Sequence, residues 1–287
     1  MQPHQRDRTS GVPVPYGRLG RGHARQEMTS MKREIVFRNI DGKPGRHLAV
    51  TPETAATEHL SVGYINLSAE VPSVSFDCGV NEKVLLCMKG EANVTVNGKP
   101  FLLGLYDALY IPRDSSVTVR ANGASLLESS APVEKAYDVR LVRWLDASVD
   151  PKLHMSIGQE SMHRELYQLV SENVAAGRLL VGPTFSNKGN WTSWPPHEHR
   201  DTLEEVYVYF NMPAPGFGIQ LAYSDTQYPD VMVPVREGDA VVVHHGYHPN
   251  VAVPGHAINF VWILCAKREG VDRRYGVVNV QPEFKPQ

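Results

Sequence analysis

Cysteine is scarce in this chain. Cys78, Cys87 and Cys265 are the only three in 287 residues. An odd count at wide spacing supports neither a disulfide framework nor a CxxC metal site. Cys87 and Cys265 lie in the apolar runs VLLCMKG and WILCAK, which read as buried thiols. Free thiols fit a reducing cytoplasm. Excess charge is also missing: 29 basic side chains against 31 acidic ones leave a net −2. No global field therefore draws the chain to nucleic acid or to an anionic membrane. The longest apolar run, residues 257–266, is interrupted by Asn259 and is too short to span a bilayer. Helical periodicity is almost absent, which leaves a sandwich or barrel of short strands.

What is present is a succession of such strands. Residues 1–30 come first, rich in Arg, Gly and Pro and without an apolar period. They are expected to be a disordered tail, or to precede a true start at Met28 or Met31; an Arg-rich transit peptide is the alternative. Residues 31–144 then read as strands joined by polar turns, among them VGYINLS, SVSFD, KVLLCMKG, ANVTV, ALYIP and SVTVRA. Asn97-Gly98 is a two-residue hairpin signal. Residues 145–177 read as a connector, in which MHRELYQLVSENV suits a helix or an extended start equally well. From 178 to 287 strands resume, including RLLVGPTF, EEVYVYF, GIQLAYS, VMVPV, DAVVVHH and INFVWILCAK. The order of strands and turns around KVLLCMKG returns around EVYVYFN, a weak internal repeat of roughly 110–120 residues. Two related β-barrels in one chain are expected, the all-β class.

Chemistry concentrates in NWTSWPPHEHRDTLEEVYVYF, residues 190–210. His197 and His199 are two apart, so an extended strand points both to one side. Further on, GDAVVVHHGYHPN carries His244, His245 and His248. His248 is the best third ligand, because Gly246 permits a turn and Pro249 fixes the exit. On the strand between, Glu205, Tyr207 and Tyr209 share one face; Glu204, Val206 and Val208 share the other. The polar face makes the better cavity wall, so Glu205 is preferred to Glu204. Three imidazoles and one carboxylate suit a divalent ion, zinc or manganese first and iron or nickel next. The isolated histidines elsewhere read as structural. His244 and His245 read as core or as supports behind the ligands, although His245 also enters as a candidate base.

HxH, a nearby Glu and a later lone His resemble the cupin superfamily, although Asn211 or Met212 stands where its first motif closes with Gly. NWTSWPPHEH, EEVYVYFNMP and HHGYHPNVAVPG are similar to one bicupin family. That family contains 5-deoxy-glucuronate isomerase of inositol breakdown and 5-keto-4-deoxyuronate isomerase of pectin breakdown. The resemblance implies two jelly-roll barrels, the first (31–144) without metal and the second (178–287) with it. It implies an aldose–ketose isomerase acting on a small sugar acid, with His197, His199, Glu205 and His248 around one divalent ion. Tyr207, His245 and Glu204 are the candidate proton carriers. Arg200 or Arg164 would receive the substrate carboxylate. A cytoplasmic homo-oligomer is expected, with no nucleic-acid or membrane partner. A cupin dioxygenase and a non-catalytic sugar-binding bicupin are the alternatives.

Overall fold

The computed structural model describes residues 34–199 and 201–285. The tail at residues 1–30 lies outside them. The class is all-β, as expected. Its one α-helix among the described residues is the six-residue segment Trp144–Val149. No described helix is long and apolar enough to cross a membrane.

Two pairs of antiparallel sheets divide the described chain. In the first half a six-stranded sheet runs Arg140–Val142, Ala108–Ile111, Asn81–Lys89, Ala124–Pro132, Ser61–Leu67, Gly45–Val50. It faces a four-stranded sheet of Ser73–Asp77, Ser116–Arg120, Ala92–Val96 and Lys99–Leu103. The second half repeats this. Its large sheet has Ala240–Val243, Leu203–Tyr209, Phe260–Ala266 and Leu179–Ser186 in adjacent order. Its small sheet has Trp191–Thr192, Asn250–Ala252, Gly218–Ala222 and Val231–Val235. Asn97 and Gly98 both take positive φ in the hairpin between Ala92–Val96 and Lys99–Leu103, as their sequence demands.

Burial on alternate positions explains the packing. Leu85, Cys87, Val94 and Val119 fill the first barrel, and Tyr207, Tyr209, Trp262 and Leu264 fill the second. The opposite faces of the two large sheets meet in a third cluster that holds Val84, Leu86, Val206, Val208, Val261 and Ile263. The central strands are therefore buried on both faces and read as continuous apolar runs.

The segment 145–177 supplies more than a link. Its strands His154–Ile157 and Arg164–Tyr167 extend the large sheet of the second half. Within MHRELYQLVSENV, Arg164–Tyr167 is a strand and Val170 bridges Val181, while Met162 ends a short 3-10 helix and residues 171–174 turn. At the other end, Val36–Phe37 also joins the second half's sheet, against Ala240 and Val241.

The register makes the two halves comparable. Leu86 pairs with Ala108 in the first, and Val208 with Ala240 in the second. Each alanine follows a turn with a positive-φ residue, Tyr106 or Gly238, and then an aspartate. Aligned there, Glu82-Lys83 corresponds to Glu204-Glu205. Glu82 accepts the backbone N–H groups of Gly177, Arg178 and Leu179 at 2.7–2.8 Å. Glu204 accepts those of Glu58, His59 and Leu60. Each half thus clamps the backbone just before the other half's first long strand.

Lys83 points into the first barrel and meets Glu128 at 2.8 Å, with Arg46 on the same carboxylate at 2.6 Å. Burial opposes ionisation of Glu128, but the two cations outweigh it and hold its pKa below the ordinary carboxylate value. A depressed folded pKa contributes stability above the unfolded value of about 4.3, lost as pH falls through the folded value. Glu128→Gln should cost about 3 kcal/mol at pH 7, because it strands a buried ammonium. Urea titrations should show that deficit shrinking at pH 3; a pH-independent deficit would contradict the account.

Candidate metal centre

The histidines reach the inside of the second barrel from three directions. His197 stands on the two-residue strand His197–Glu198, which pairs with Asn279–Val280 of the C-terminal segment. Tyr-rich Leu203–Tyr209 brings Glu205 in from the large sheet, level with Leu264. His248 follows Gly246, whose φ of +80° makes the turn. Below His248, the Gln220 side-chain amide donates to the His248 carbonyl at 3.2 Å, and Gln220 is itself held by Asn250 and Tyr209.

One potential ligand atom from each of His197, His199 and His248 lies within 4.8 Å of the other two. Glu205 Oε2 is 3.3 Å from His199 Nε2 and 3.0 Å from His248 Nε2. These are close approaches without hydrogen-bond geometry: His199 Nδ1 and Nε2, Glu205 Oε2 and His248 Nε2 are all buried and unpartnered. Nδ1 of His197 lies 2.9 Å from the Pro195 carbonyl and Nδ1 of His248 lies 3.0 Å from that of Gly246. A carbonyl only accepts, so each Nδ1 carries the proton and each Nε2 presents a lone pair inward. Burial and the two neighbouring imidazoles push His197 down to about 3, so it stays neutral. Burial opposes charge on Glu205 as well; positive charge at His248 and His199, a proton standing where a cation would, holds its carboxyl below the usual range. Three imidazole nitrogens and an ionised oxygen aimed at one point are a donor set for a divalent cation. The cluster could hold such an ion.

A cavity of about 210 Å³ opens from this cluster. Its walls are the inward positions of Arg164–Tyr167, Leu179–Ser186, Leu203–Tyr209 and Phe260–Ala266, with Trp194 and Tyr275 across from them. Tyr207 lies in it, and its hydroxyl is 2.7 Å from Ser193 Oγ. Burial first, and the charge of Glu205 next, raise the Tyr207 pKa well above that of a free phenol. Arg164 also lines the cavity. It is 8% exposed and donates to the carbonyls of Met162 and Trp194. Among the described residues it has no carboxylate partner.

The remaining expectations fall elsewhere. Glu204 faces the other half, where backbone N–H groups occupy its carboxylate, so it is removed from the cluster. His245 is exposed, 3.4 Å from Asp230. Its ring and that of His244 sit on the surface rather than in the core or behind the ligands, because the strand Ala240–Val243 ends before them. Arg200 lies outside the described residues. Sequence reasoning did not find Ser193, Thr184, Trp262 or Tyr275. Trp262 reads as core within an apolar run, and Tyr275 stands in a segment without a period.

A family model described as the KduI/IolB family matches residues 36–285. The chain belongs to that family. Among its relatives, the 5-deoxy-glucuronate isomerase of Geobacillus kaustophilus (strain HTA426) is 30% identical over 79% of this chain and 86% of its own length. That of Lacticaseibacillus casei is 26% identical over 80% and 84%. An IolB-like protein from Salmonella typhimurium LT2 shares the fold, with a TM-score of 0.76 at 22% identity over 88% of this chain and 98% of its own. A Bacillus subtilis oxalate decarboxylase aligns at 0.57 and 14% identity over 80% and 77%. The KduI/IolB match covers both sheet pairs and every residue of the cluster.

The two adjacent glutamates give a crossed test. Glu205→Gln should lose the bound divalent ion, measured by elemental analysis of the purified protein. Glu204→Gln should keep the ion but lose about 2 kcal/mol of stability to urea, since three backbone donors then face a neutral amide. The reverse pattern would overturn the assignment of faces.

Proposed function

We propose that this protein is a metal-dependent aldose–ketose isomerase acting on an open-chain uronate-type sugar acid. The substrate named for its relatives, 5-deoxy-glucuronate, is the first choice. One observation carries the reading: a cavity with a cation-seeking cluster at one end and, in its wall, a buried guanidinium with no carboxylate partner among the described residues. A sugar acid has a carbonyl and hydroxyl for the first and a carboxylate for the second.

His197, His199, Glu205 and His248 would hold one divalent ion, zinc or manganese before iron or nickel. Bound there, it would supply Lewis-acid polarisation of the carbonyl and of the enediolate that follows. The protein's own groups bind and orient the substrate and present a proton. Arg164 receives the carboxylate and so fixes which end of the chain enters first. Tyr207 keeps its proton at neutral pH and presents it from the hydroxyl held by Ser193, where charge develops on a substrate oxygen. Glu204 and His245 drop out as proton carriers because of where they stand. Trp194, in the cavity wall, packs its ring 5.0 Å from that of Phe284.

The reading extends to the setting: a cytoplasmic enzyme of sugar-acid breakdown, with inositol as the upstream source. It also takes in a homo-oligomer, for which Leu145 and Val149, each 79% exposed on one short helix, offer apolar contact.

Assays on 5-deoxy-glucuronate and 5-keto-4-deoxyuronate side by side should show isomerisation of the former without oxygen uptake. Arg164→Met should raise KM at least tenfold with metal content unchanged, since a carboxylate loses its charged partner. Metal-loaded protein inert on both sugar acids would overturn the reading.

A further inference from the structure

Among the described residues, six buried side-chain atoms lack a hydrogen-bond partner. Four of these belong to the cluster of His199, Glu205 and His248. The other two, Thr184 Oγ1 and Trp262 Nε1, belong to residues that line the same cavity. A metal takes one nitrogen from each histidine, so it explains three of the four and leaves the second His199 nitrogen together with Thr184 Oγ1 and Trp262 Nε1. An indole N–H only donates, and a buried donor left without an acceptor costs about 1–3 kcal/mol. Natural folds retain such a cost where a ligand relieves it.

The register places the two groups in sequence along the cavity wall. Glu205 is level with Leu264, and two residues on, about 7 Å along the strand, Tyr207 is level with Trp262. Trp262 is level with Gly182, and Thr184 with Leu166. Arg164 lies one further step along its own strand. The order from the cluster is thus Trp262, Thr184, Arg164. Gly182 makes this wall possible: a Cβ there would stand 2.5 Å from the Trp262 ring and 1.8 Å from the Tyr167 carbonyl. Opposite, Tyr275 sets its ring 5.1 Å from that of Trp262. Tyr275 belongs to the C-terminal segment that is pinned by Asn279–Val280 against His197–Glu198 and by the Gln281 N–H on the Pro196 carbonyl.

We propose that Trp262 Nε1–H, Thr184 Oγ1 and the Tyr275 hydroxyl form a subsite for the hydroxyl-bearing middle carbons of the substrate, between the metal ligands and Arg164. The inference rests on the isomerase reading and adds its specificity: an acyclic acid with oxygens on the carbons between carbonyl and carboxylate. The indole donates to one hydroxyl oxygen, while the threonine both accepts and donates. A sugar acid stripped of those hydroxyls leaves the donors orphaned and is rejected.

The test compares wild type, Trp262→Phe and Thr184→Val, each loaded with its divalent ion. The probes are 5-deoxy-glucuronate for turnover and its C1-reduced alditol acid for calorimetric binding. Both variants should keep the metal and bind the alditol acid about tenfold more weakly. Without ligand they should melt at or above the wild-type temperature, because an orphaned polar group has been removed. Tyr275→Phe should weaken binding in the same direction. Variants that bind as wild type does would overturn the subsite. So would variants whose ligand-free melting temperature falls in step with their binding, since that marks a purely structural role. A wild-type protein that neither binds nor isomerises the sugar acid would instead sink the isomerase reading beneath it.

Discussion

Three imidazole nitrogens and a carboxylate oxygen converge inside the second barrel, and much of the surrounding structure serves that convergence. Bare lone pairs facing one another in a water-poor site repel unless a cation lies at their centre. The fold holds them there all the same. Backbone carbonyls at Pro195 and Gly246 fix the tautomers of His197 and His248. The polar set of Gln220, Asn250 and Thr192 braces His248 from below. The C-terminal segment pairs with the strand that carries His197. The same cavity then continues past the ligands to an arginine whose charge is also unanswered within the described protein.

The two halves share an architecture and differ at the position that decides their chemistry. Where the second barrel has Glu205, the first has Lys83, by the register of their equivalent strands. The ammonium of Lys83 sits in the barrel against Glu128, which Arg46 also holds. A fixed internal cation thus stands in the barrel without the histidine set. The neighbouring positions, Glu82 and Glu204, carry the same side chain and bind alike, because each takes three backbone N–H groups from the other half. Glu204 therefore ties the first half to the strand that presents Glu205. The packing of Val84 and Leu86 near Val206 and Val208 in one core gives that tie its stiffness.

Much of this was legible in the residues. Strands such as Ser73–Asp77, Ala92–Val96 and Val231–Val235 coincide with β-branched alternating runs, because a half-buried pleated surface selects those side chains. Alternation also separated Glu205 from Glu204, since a period of two leaves only one of them facing inward. The convergence of His197, His199 and His248 followed from spacing and turn chemistry. The rest depended on distance in sequence. Leu166, Leu169 and Val170 fit a helix or a strand equally, and only pairing with Leu179–Ser186 decided the segment. Val36–Phe37 is too short to carry a period. His244 and His245 follow an apolar strand directly, and the strand's end rather than its composition exposed them. Trp262 is indistinguishable from a core residue until register places it beside Tyr207 and opposite Gly182.

Metal stoichiometry combined with anomalous X-ray scattering from the purified full-length protein tests the central claim most directly. The account predicts one divalent ion per chain, ligated by His197, His199, Glu205 and His248, with none in the barrel that holds Lys83. An ion bound elsewhere, a second ion in the first barrel, or a fully active isomerase free of metal would contradict it.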